Sequence, residues 1–204
     1  MTDIDSAATC ALADPKEVAR RLELLGEAHM LPLNNLVRDI RRRHAGYKVP
    51  YPDPLDGGAA ARALLLLEAP GPKAVATQFV SINNPDPTAK NLHKLLRDAR
   101  IDRRDVLVWN IVPWYVGDGK RIRPVRRADI SEACVYLDRL LDMLEHLKEV
   151  MLVGRKAQLA AGQLEGRGLN IAECFHPSPQ VFHIAKDKKA QTEAAFRGLS
   201  KRLK

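Results

Sequence analysis

The sequence predicts an α/β fold, a three-layer α/β/α arrangement around a central four-stranded, mainly parallel sheet. Two observations lead to this prediction. Four short apolar segments have the length and composition of buried strands, and segments with the i, i+3, i+4 apolar spacing of helices separate them. Strands that alternate with helices favour parallel pairing. With 204 residues, the chain fits a single domain over residues 1–204.

The first quarter of the chain predicts helices and loops. Residues 1–15 are small and polar, and we expect them to be poorly ordered. Apolar spacing predicts helices over Pro15–Ala28 and Asn34–His44, and the prolines and glycines of Tyr47–Gly58 predict a connecting loop. The sheet is therefore expected to begin after this loop.

The central strand is predicted at Leu64–Leu67, four consecutive leucines that precede Glu68 and the turn sequence Ala69–Pro72. Ligands of open α/β sheets bind at the carboxyl ends of the strands, and Glu68 stands at such an end. It is either a group that acts on a ligand or a solvated carboxylate beside an ordinary turn.

The next strand is predicted over Asp105–Val112, and Asn110 interrupts its apolar run. A buried amide without partners costs about 1–3 kcal/mol, so Asn110 is either paired within the protein or directed at a ligand. Phe79 is assigned to a loop, where it either caps the core or stacks on a planar ligand. Turn residues at 81–89 precede a predicted helix at Asn91–Asp98.

The remaining chain continues the alternation of strands and helices. The segment Val116–Arg127 is rich in glycine and arginine, and we predict a loop that cannot pack in a core. After it the patterns predict, in order, a helix at Ala128–Glu149, a strand at Val150–Val153, a helix at Lys156–Leu164, a strand at Leu169–Phe175 and a surface helix at Asp187–Lys204. The last strand leads into His176, so three strand ends carry Glu68, Asn110 and His176.

The net charge of +8 suggests an anionic partner, with nucleic acid as the first candidate. The basic residues are concentrated at Arg41–Arg43, at Lys120–Arg127 and from Lys186 onward. The sequence has no apolar run long enough to span a bilayer and no basic segment followed by an apolar one at its start. We therefore expect no membrane contact and a cytoplasmic location. Three cysteines without Cys-x-x-Cys spacing predict neither disulfides nor a metal site.

Three stretches, in order and spacing, resemble the uracil-DNA glycosylase superfamily, closest to its iron–sulfur branch, over roughly residues 64–181. Glu68–Pro72 resembles the water-activating loop of that branch, Asn110–Val112 its uracil-reading strand, and His176–Val181 its second signature. Ala133–Leu137 and Val153–Arg155 match the helix and turn between them. The resemblance implies a DNA glycosylase that flips a base out of DNA.

The cysteines depart from that resemblance. Of the four cluster ligands in the iron–sulfur branch, only Cys134 has a counterpart here, and Trp114 stands where the branch has a cysteine soon after the Asn. One thiolate cannot hold a cluster that needs four ligands. We therefore predict no iron–sulfur cluster and no other cofactor, with Trp114 and neighbouring apolar groups filling the space.

The resemblance also implies roles at the site. Glu68 would orient or deprotonate water, or the backbone of Ala69–Pro72 would do so, with Ala69 and Gly71 beside the base. Better-known members of the family carry Asp at the position of Ala69, which makes Asp86 a substitute candidate. Phe79 would stack on uracil, Asn110 would read its edge and His176 would donate to O2 of the leaving base, unless this His only caps its own turn.

DNA contacts complete the resemblance. Ser178 to Phe182 would enter the duplex, with Gln180 or Val181 as the wedge that fills the gap left by the flipped base. Phosphates would be held by arginines whose alternative is a solvated loop, namely Arg121, Arg123, Arg126 and Arg127.

Three hypotheses follow. The first is a monofunctional, monomeric uracil-DNA glycosylase that leaves an abasic site in base-excision repair. The second is a non-catalytic module that binds DNA or abasic sites on the same fold. The third is another base-releasing or nucleotide hydrolase, for which free nucleotides would be substrates. Substitution of Glu68, Asn110 or His176 separates the first hypothesis from the second, because only an enzyme would lose turnover.

Overall fold

A computed structural model describes residues 9–118 and 121–204. Its main sheet has four strands, which in chain order are β2 (Ala63–Leu67), β4 (Val106–Asn110), β5 (Glu149–Val153) and β6 (Asn170–Cys174). All four are parallel, in the spatial order β4-β2-β5-β6. The four strands predicted from the sequence are confirmed, and so is their parallel pairing.

Helices cover both faces of this sheet because successive strand residues point to opposite sides. Leu64 and Leu66 of β2 pack into a core with α2 (Leu31–Arg43) and α5 (Arg127–Met143). Leu65 packs on the other face with α4 (Pro87–Ala99) and α8 (Lys186–Arg202). The three-layer α/β/α fold is therefore confirmed, and the central leucines are buried on both faces as predicted.

Four shorter helices accompany these elements: α1 (Pro15–Glu23), α3 (Pro72–Thr77), α6 (Ala161–Leu164) and α7 (Pro179–Ile184). Two predicted helices are too long. The first ends at Glu23, where a 3-10 turn follows, and α5 ends at Met143, six residues before β5 begins at Glu149. Apolar spacing continues beyond both helix ends, because residues in the following turns also face the core.

The N-terminal expectation is wrong for residues 10–14. Ala11–Ala13 form a 3-10 turn in which Leu12 is buried, and the Leu12 N–H donates to the carbonyl of Asn83. Asp14 caps α1 by accepting from the Lys16 N–H at 2.8 Å. Residues 1–8, the other part of that expectation, lie outside the described residues.

Two segments assigned to loops contain short strands. Tyr51–Pro52 forms β1 and Phe79–Val80 forms β3, and the two pair in a separate parallel sheet. Two residues are too few to show an alternating pattern, which is why the sequence did not predict them. Phe79 is completely buried in this small sheet.

The segment Val116–Arg127 also differs from its prediction. Val116 and Val125 are both buried in the core on the α5 side of the sheet, so part of this loop does pack. A bridge between Gly117 and Ile122 joins the two sides of the exposed part, and Lys120 lies outside the described residues. Among the residues described, no helix is long and apolar enough to cross a bilayer.

Candidate active site

A cavity of about 340 Å³ opens at the carboxyl edge of the main sheet. Its size is within the range typical of sites for small ligands. Its walls combine the end of β2, the turn that follows, the start of α4, the end of β4 and the second residue after β6. They include Leu67, Ala69, Gly71, Asp86, Asn110 and His176.

Asn110 is the last residue of β4 and is only 3% exposed. Its Oδ1 is buried and has no hydrogen-bond partner among the described residues. The backbone ladder continues past it, because the Ile111 N–H donates to Leu67 O at 2.8 Å. The amide is therefore fixed in the cavity wall with an open acceptor, and the alternative that it is fully paired within the protein is wrong for Oδ1.

His176 follows β6 by two residues and lines the same cavity. It lies against Gly154, where an added Cβ would come within 3.0 Å of the His176 Cβ. Burial lowers the pKa of His176 below its usual 6.5, and the charge of Asp86 opposes this shift only in part. The imidazole is therefore neutral at physiological pH, with one ring N–H to donate.

Asp86 is the N-cap of α4 and also lines the cavity. Its Oδ1 accepts from the Ala89 N–H at 3.0 Å, which fixes the orientation of the carboxylate. The preceding segment is held by a buried network in which Arg21 and Arg103 both donate to the Asn83 Oδ1, at 3.1 and 2.9 Å. Asp86 is thus brought together with Asn110 and His176.

Glu68 lies elsewhere. Leu67 is in register with Asn110 and lines the cavity, whereas Glu68 is the first residue after β2 and does not line it. Glu68 lines a neighbouring cleft of about 980 Å³, which we call the basic cleft. His176 lines both spaces, and the basic cleft also contains four cationic side chains, Arg127, Arg155, Lys156 and Lys188.

The residues predicted to contact uracil are only partly brought together. Ala69 and Gly71 line the cavity, as expected. Phe79 does not line it, and its ring is buried in the small sheet. The assignment of Phe79 to a loop is wrong. Phe79 belongs to a strand of only two residues, and the turn residues that follow Val80 favour a loop in the sequence pattern.

The wedge segment forms the start of α7. Ser178, Gln180 and Val181 all line the basic cleft next to His176. Gln180 is exposed, whereas Val181 is half-buried against the core on the α4 side. Of the two residues named as wedge candidates, Gln180 is therefore the more accessible.

The arginines of the loop have different environments. Arg123 makes two 2.7 Å hydrogen bonds to Asp129, which also accepts from the Arg126 N–H, so one of the four charges is compensated. Arg121, Arg126 and Arg127 are exposed, and Arg127 lines the basic cleft. Asp129 follows the basic run in the sequence, but no local pattern indicates that Arg123 folds back onto it.

Two groups of residues near the site were given no role from the sequence. Arg155, Lys156 and Lys188 lie in the basic cleft; the turn with Arg155 matches the family pattern and Lys188 belongs to the basic segment from Lys186 onward, but neither was placed at the site. The buried Arg21–Asp53–Arg103–Asp56 network behind Asp86 joins distant chain segments. Isolated charges in separate segments of the sequence give no local signal for such a network.

The three cysteines lie in separate environments. The Cys134 Sγ donates to the Gln163 side chain at 3.0 Å, Cys10 contacts the Asn84 carbonyl, and Cys174 is buried in β6. Within residues 9–118 and 121–204, no three His, Cys, Asp or Glu side chains come together as metal ligands. Trp114 is buried beside His44, Tyr47 and Tyr136.

The fold and the cavity define an α/β protein with a small-ligand site at the carboxyl edge of a parallel sheet, bordered by a cationic cleft. The profile of the Uracil DNA glycosylase superfamily matches residues 55–200, which include every strand of the main sheet and each residue discussed in the cavity. The chain belongs to this superfamily. No curated protein matches the sequence.

Solved structures show the same fold at low identity. The wild-type UNG from Nitratifractor salsuginis is 15% identical, with a TM-score of 0.53 over 92% of this chain and 97% of that chain. A point mutant of the same UNG is 17% identical, with a TM-score of 0.53 over 91% of this chain and 98% of that chain. The similarity therefore extends over nearly the whole length of both proteins.

Proposed function

We propose that this protein is a monofunctional uracil-DNA glycosylase, which hydrolyses the bond between uracil and deoxyribose and leaves an abasic site in DNA. The observation that carries the proposal is the buried, unpartnered Oδ1 of Asn110 in a cavity shared with a neutral His176. Membership of the Uracil DNA glycosylase superfamily supports it.

Asn110 would read the base. Its Oδ1 can accept from the N3–H of uracil, and its Nδ2 can donate to O4. Cytosine has an unprotonated N3 and an exocyclic amine at these positions, so both hydrogen bonds would be lost. Because Asn110 is fixed at the end of a strand, a wrong base would leave buried polar groups unpaired.

His176 would stabilise the leaving group. When the C1′–N1 bond breaks, its electron pair moves onto uracil and gives an anion delocalised over N1 and O2. A neutral imidazole can donate its one N–H to O2, in the manner of an oxyanion site. The lowered pKa of His176 supports this role, because the uncharged ring donates a hydrogen bond without transferring a full proton.

Asp86 is better placed than Glu68 to act on the sugar side, because it lines the cavity with Asn110 and His176. Its carboxylate would orient a water molecule toward C1′ and accept the proton that this water loses. Its negative charge would also stabilise the oxocarbenium-like sugar. Glu68 lies among the cations of the basic cleft, so its proposed place is with the groups that bind DNA and not with those that act on the sugar.

Base flipping requires a surface for the rest of the DNA. The basic cleft would hold phosphates beside the cavity, and Gln180 at its edge would occupy the space that the base leaves. Because these contacts are ionic, DNA affinity is expected to fall steeply with salt.

Base release from a labelled oligonucleotide with one uracil tests this function, with cytosine and thymine oligonucleotides as controls. Wild-type protein is expected to produce strands that break only after alkali. His176→Ala is expected to slow release about 10²–10³-fold. Asp86→Asn is expected to slow it more than Glu68→Gln, and the reverse order would assign the water to Glu68.

A non-catalytic DNA-binding module is the alternative, and the observation that favours it is Ala69, which provides no carboxylate in the turn after β2. No base release from wild-type protein, together with intact salt-dependent DNA binding, would establish this alternative. Release from free deoxyuridine nucleotides but not from DNA would instead indicate a nucleotide hydrolase.

A further inference from the structure

A further cleft, of about 560 Å³, adjoins the cavity, and we call it the tyrosine groove. Its walls include Tyr47, Lys48, Trp114, Tyr115, Arg121 and Ile122. Ile122, which is 54% exposed, lines both this groove and the 340 Å³ cavity. A chain that has one unit in the cavity could therefore continue over Ile122 into the groove.

Tyr47 offers an aromatic face in this groove. The residue is 38% exposed, and its ring is stacked on His44 at 4.9 Å between centroids with 10° between the planes. Trp114 contacts it from the side, also at 4.9 Å but tilted by 40°. The Tyr47 hydroxyl donates to Glu132 at 3.3 Å. The ring is thus held in place, so little side-chain freedom is lost when a further ring stacks on it.

The charge of the groove fits a polyanion. Lys48 and Arg121 are exposed, whereas Arg123 is paired with Asp129. Asp118 is an acidic residue in the same wall, and its Oδ1 accepts from the Arg121 N–H at 2.7 Å. That bond joins Asp118 to the Arg121 backbone. An aromatic face together with exposed cations in one groove is the combination that binds the bases and phosphates of a single strand.

Resting on the proposed function, we propose that the tyrosine groove binds unpaired DNA next to the flipped uracil, with a neighbouring base stacked on Tyr47 and phosphates at Lys48 and Arg121. Stacking needs an open base face, and only an unpaired strand offers one beside an exposed ring. Paired DNA hides these faces, so the groove favours single-stranded substrate.

The test measures binding of a fluorescein-labelled, uracil-free single strand by anisotropy, beside a duplex of the same length. Tyr47→Leu is expected to weaken single-strand binding about tenfold and to leave duplex binding within about twofold, because base–aromatic stacking contributes on this scale. Tyr47→Phe keeps the ring and removes only the hydroxyl, so it is expected to bind like wild type. Equal thermal unfolding of the two variants shows that both are folded.

Charge is tested separately. Arg121→Gln is expected to lower the slope of log affinity against log salt by about 1, whereas Arg97→Gln, on the exposed side of α4, leaves it unchanged. Single-strand affinity within about twofold of wild type in Tyr47→Leu, or an equal loss for duplex, would overturn the proposal. Since the probe contains no uracil, these outcomes are independent of base release, which reports on the glycosylase itself.

Discussion

Two buried polar regions, the network behind Asp86 and the wall of the 340 Å³ cavity, satisfy their hydrogen bonds differently. In the network, Arg21 and Arg103 pair with Asp53 and Asp56 in the protein interior. In the cavity wall, Asn110 keeps an open acceptor although it is similarly buried. The network compensates the charge of its carboxylates with arginines, although the Asp56 Oδ2 also has no hydrogen-bond partner among the described residues, whereas the cavity wall holds a neutral amide with an unpartnered acceptor.

The ion pairs of the network maintain the fold, whereas the Asn110 amide is proposed to bind a substrate. Removing one partner of a buried ion pair leaves an uncompensated charge and destabilises strongly. Removing an acceptor that has no partner takes nothing from the folded protein. Substitutions in the network should therefore lower stability, whereas substitutions in the cavity wall should lower activity and change stability little.

The largest effect is expected in the network, from Arg103→Met. It leaves Asp56 without its 2.6 Å partner and Asp53 with Arg21, the Ser81 hydroxyl and the Leu55 N–H as its partners, and we expect a loss of about 3–5 kcal/mol in the free energy of unfolding. Urea denaturation measures it. Arg97→Met, which breaks only an exposed pair with Asp98, is the matched control and should cost under about 1 kcal/mol. Equal losses would mean that the network is not stabilising.

Gly154→Ala is expected to affect both stability and activity. Gly154 has φ +91°, and the new Cβ would press on His176. The backbone conformation alone costs about 1–2 kcal/mol in a residue with a side chain. Gly166→Ala, at φ +75° with open space around it, should lose similar stability but keep uracil release. Unchanged release in Gly154→Ala would show that His176 does not depend on this contact.

Asp56 provides a pH test of the network. Burial raises the pKa of Asp56 from 3.8 to about 7, against the opposing charge of Arg103 and with the nearby charge of Asp53. Between these pH values the folded state holds a proton that the unfolded state has lost. Rising pH therefore lowers the stability of wild type relative to Asp56→Asn, by at most about 1.4 kcal/mol per pH unit.

The test of Asp56 is urea denaturation of both proteins from about pH 4.5 to pH 8, a range that brackets the folded-state pKa of about 7. The difference between them should change up to about pH 7 and then become constant. A difference that does not vary with pH below this point would contradict a raised pKa. A lowered pKa, as for Asp53, would confine the change to pH values below 3.8 and would leave the difference constant over this range.

The smallest change in stability is expected from Asn110→Leu, within about 0.5 kcal/mol of wild type, because an unpartnered acceptor is replaced by an apolar group of similar size. Uracil release should fall at least about tenfold. Asn34→Leu is the contrast, because the Asn34 Nδ2 donates to the Leu25 carbonyl and its loss should cost about 1–3 kcal/mol. A large stability loss in Asn110→Leu would assign this amide a structural role.

Much of the fold was predictable because its signals are local. The leucines of β2 and the apolar stripe of α5 each show their period within one segment, and parallel pairing follows from their alternation. The ends of α1 and α5, the strands β1 and β3 and the packing of Leu12 were not predictable. Each depends on a contact with a distant part of the chain.

The sequence by itself determined the three-layer fold and the strand ends that carry Asn110 and His176, and the family resemblance added Asp86 as a substitute candidate for Glu68. Tertiary structure alone decided which of these residues share a cavity. Leu67 pairs with Asn110 and lines the cavity, whereas Glu68, the first residue after β2, lines the basic cleft. The spaces at this edge are formed by segments that are distant in the sequence, so a linear pattern does not show which side chains share one of them.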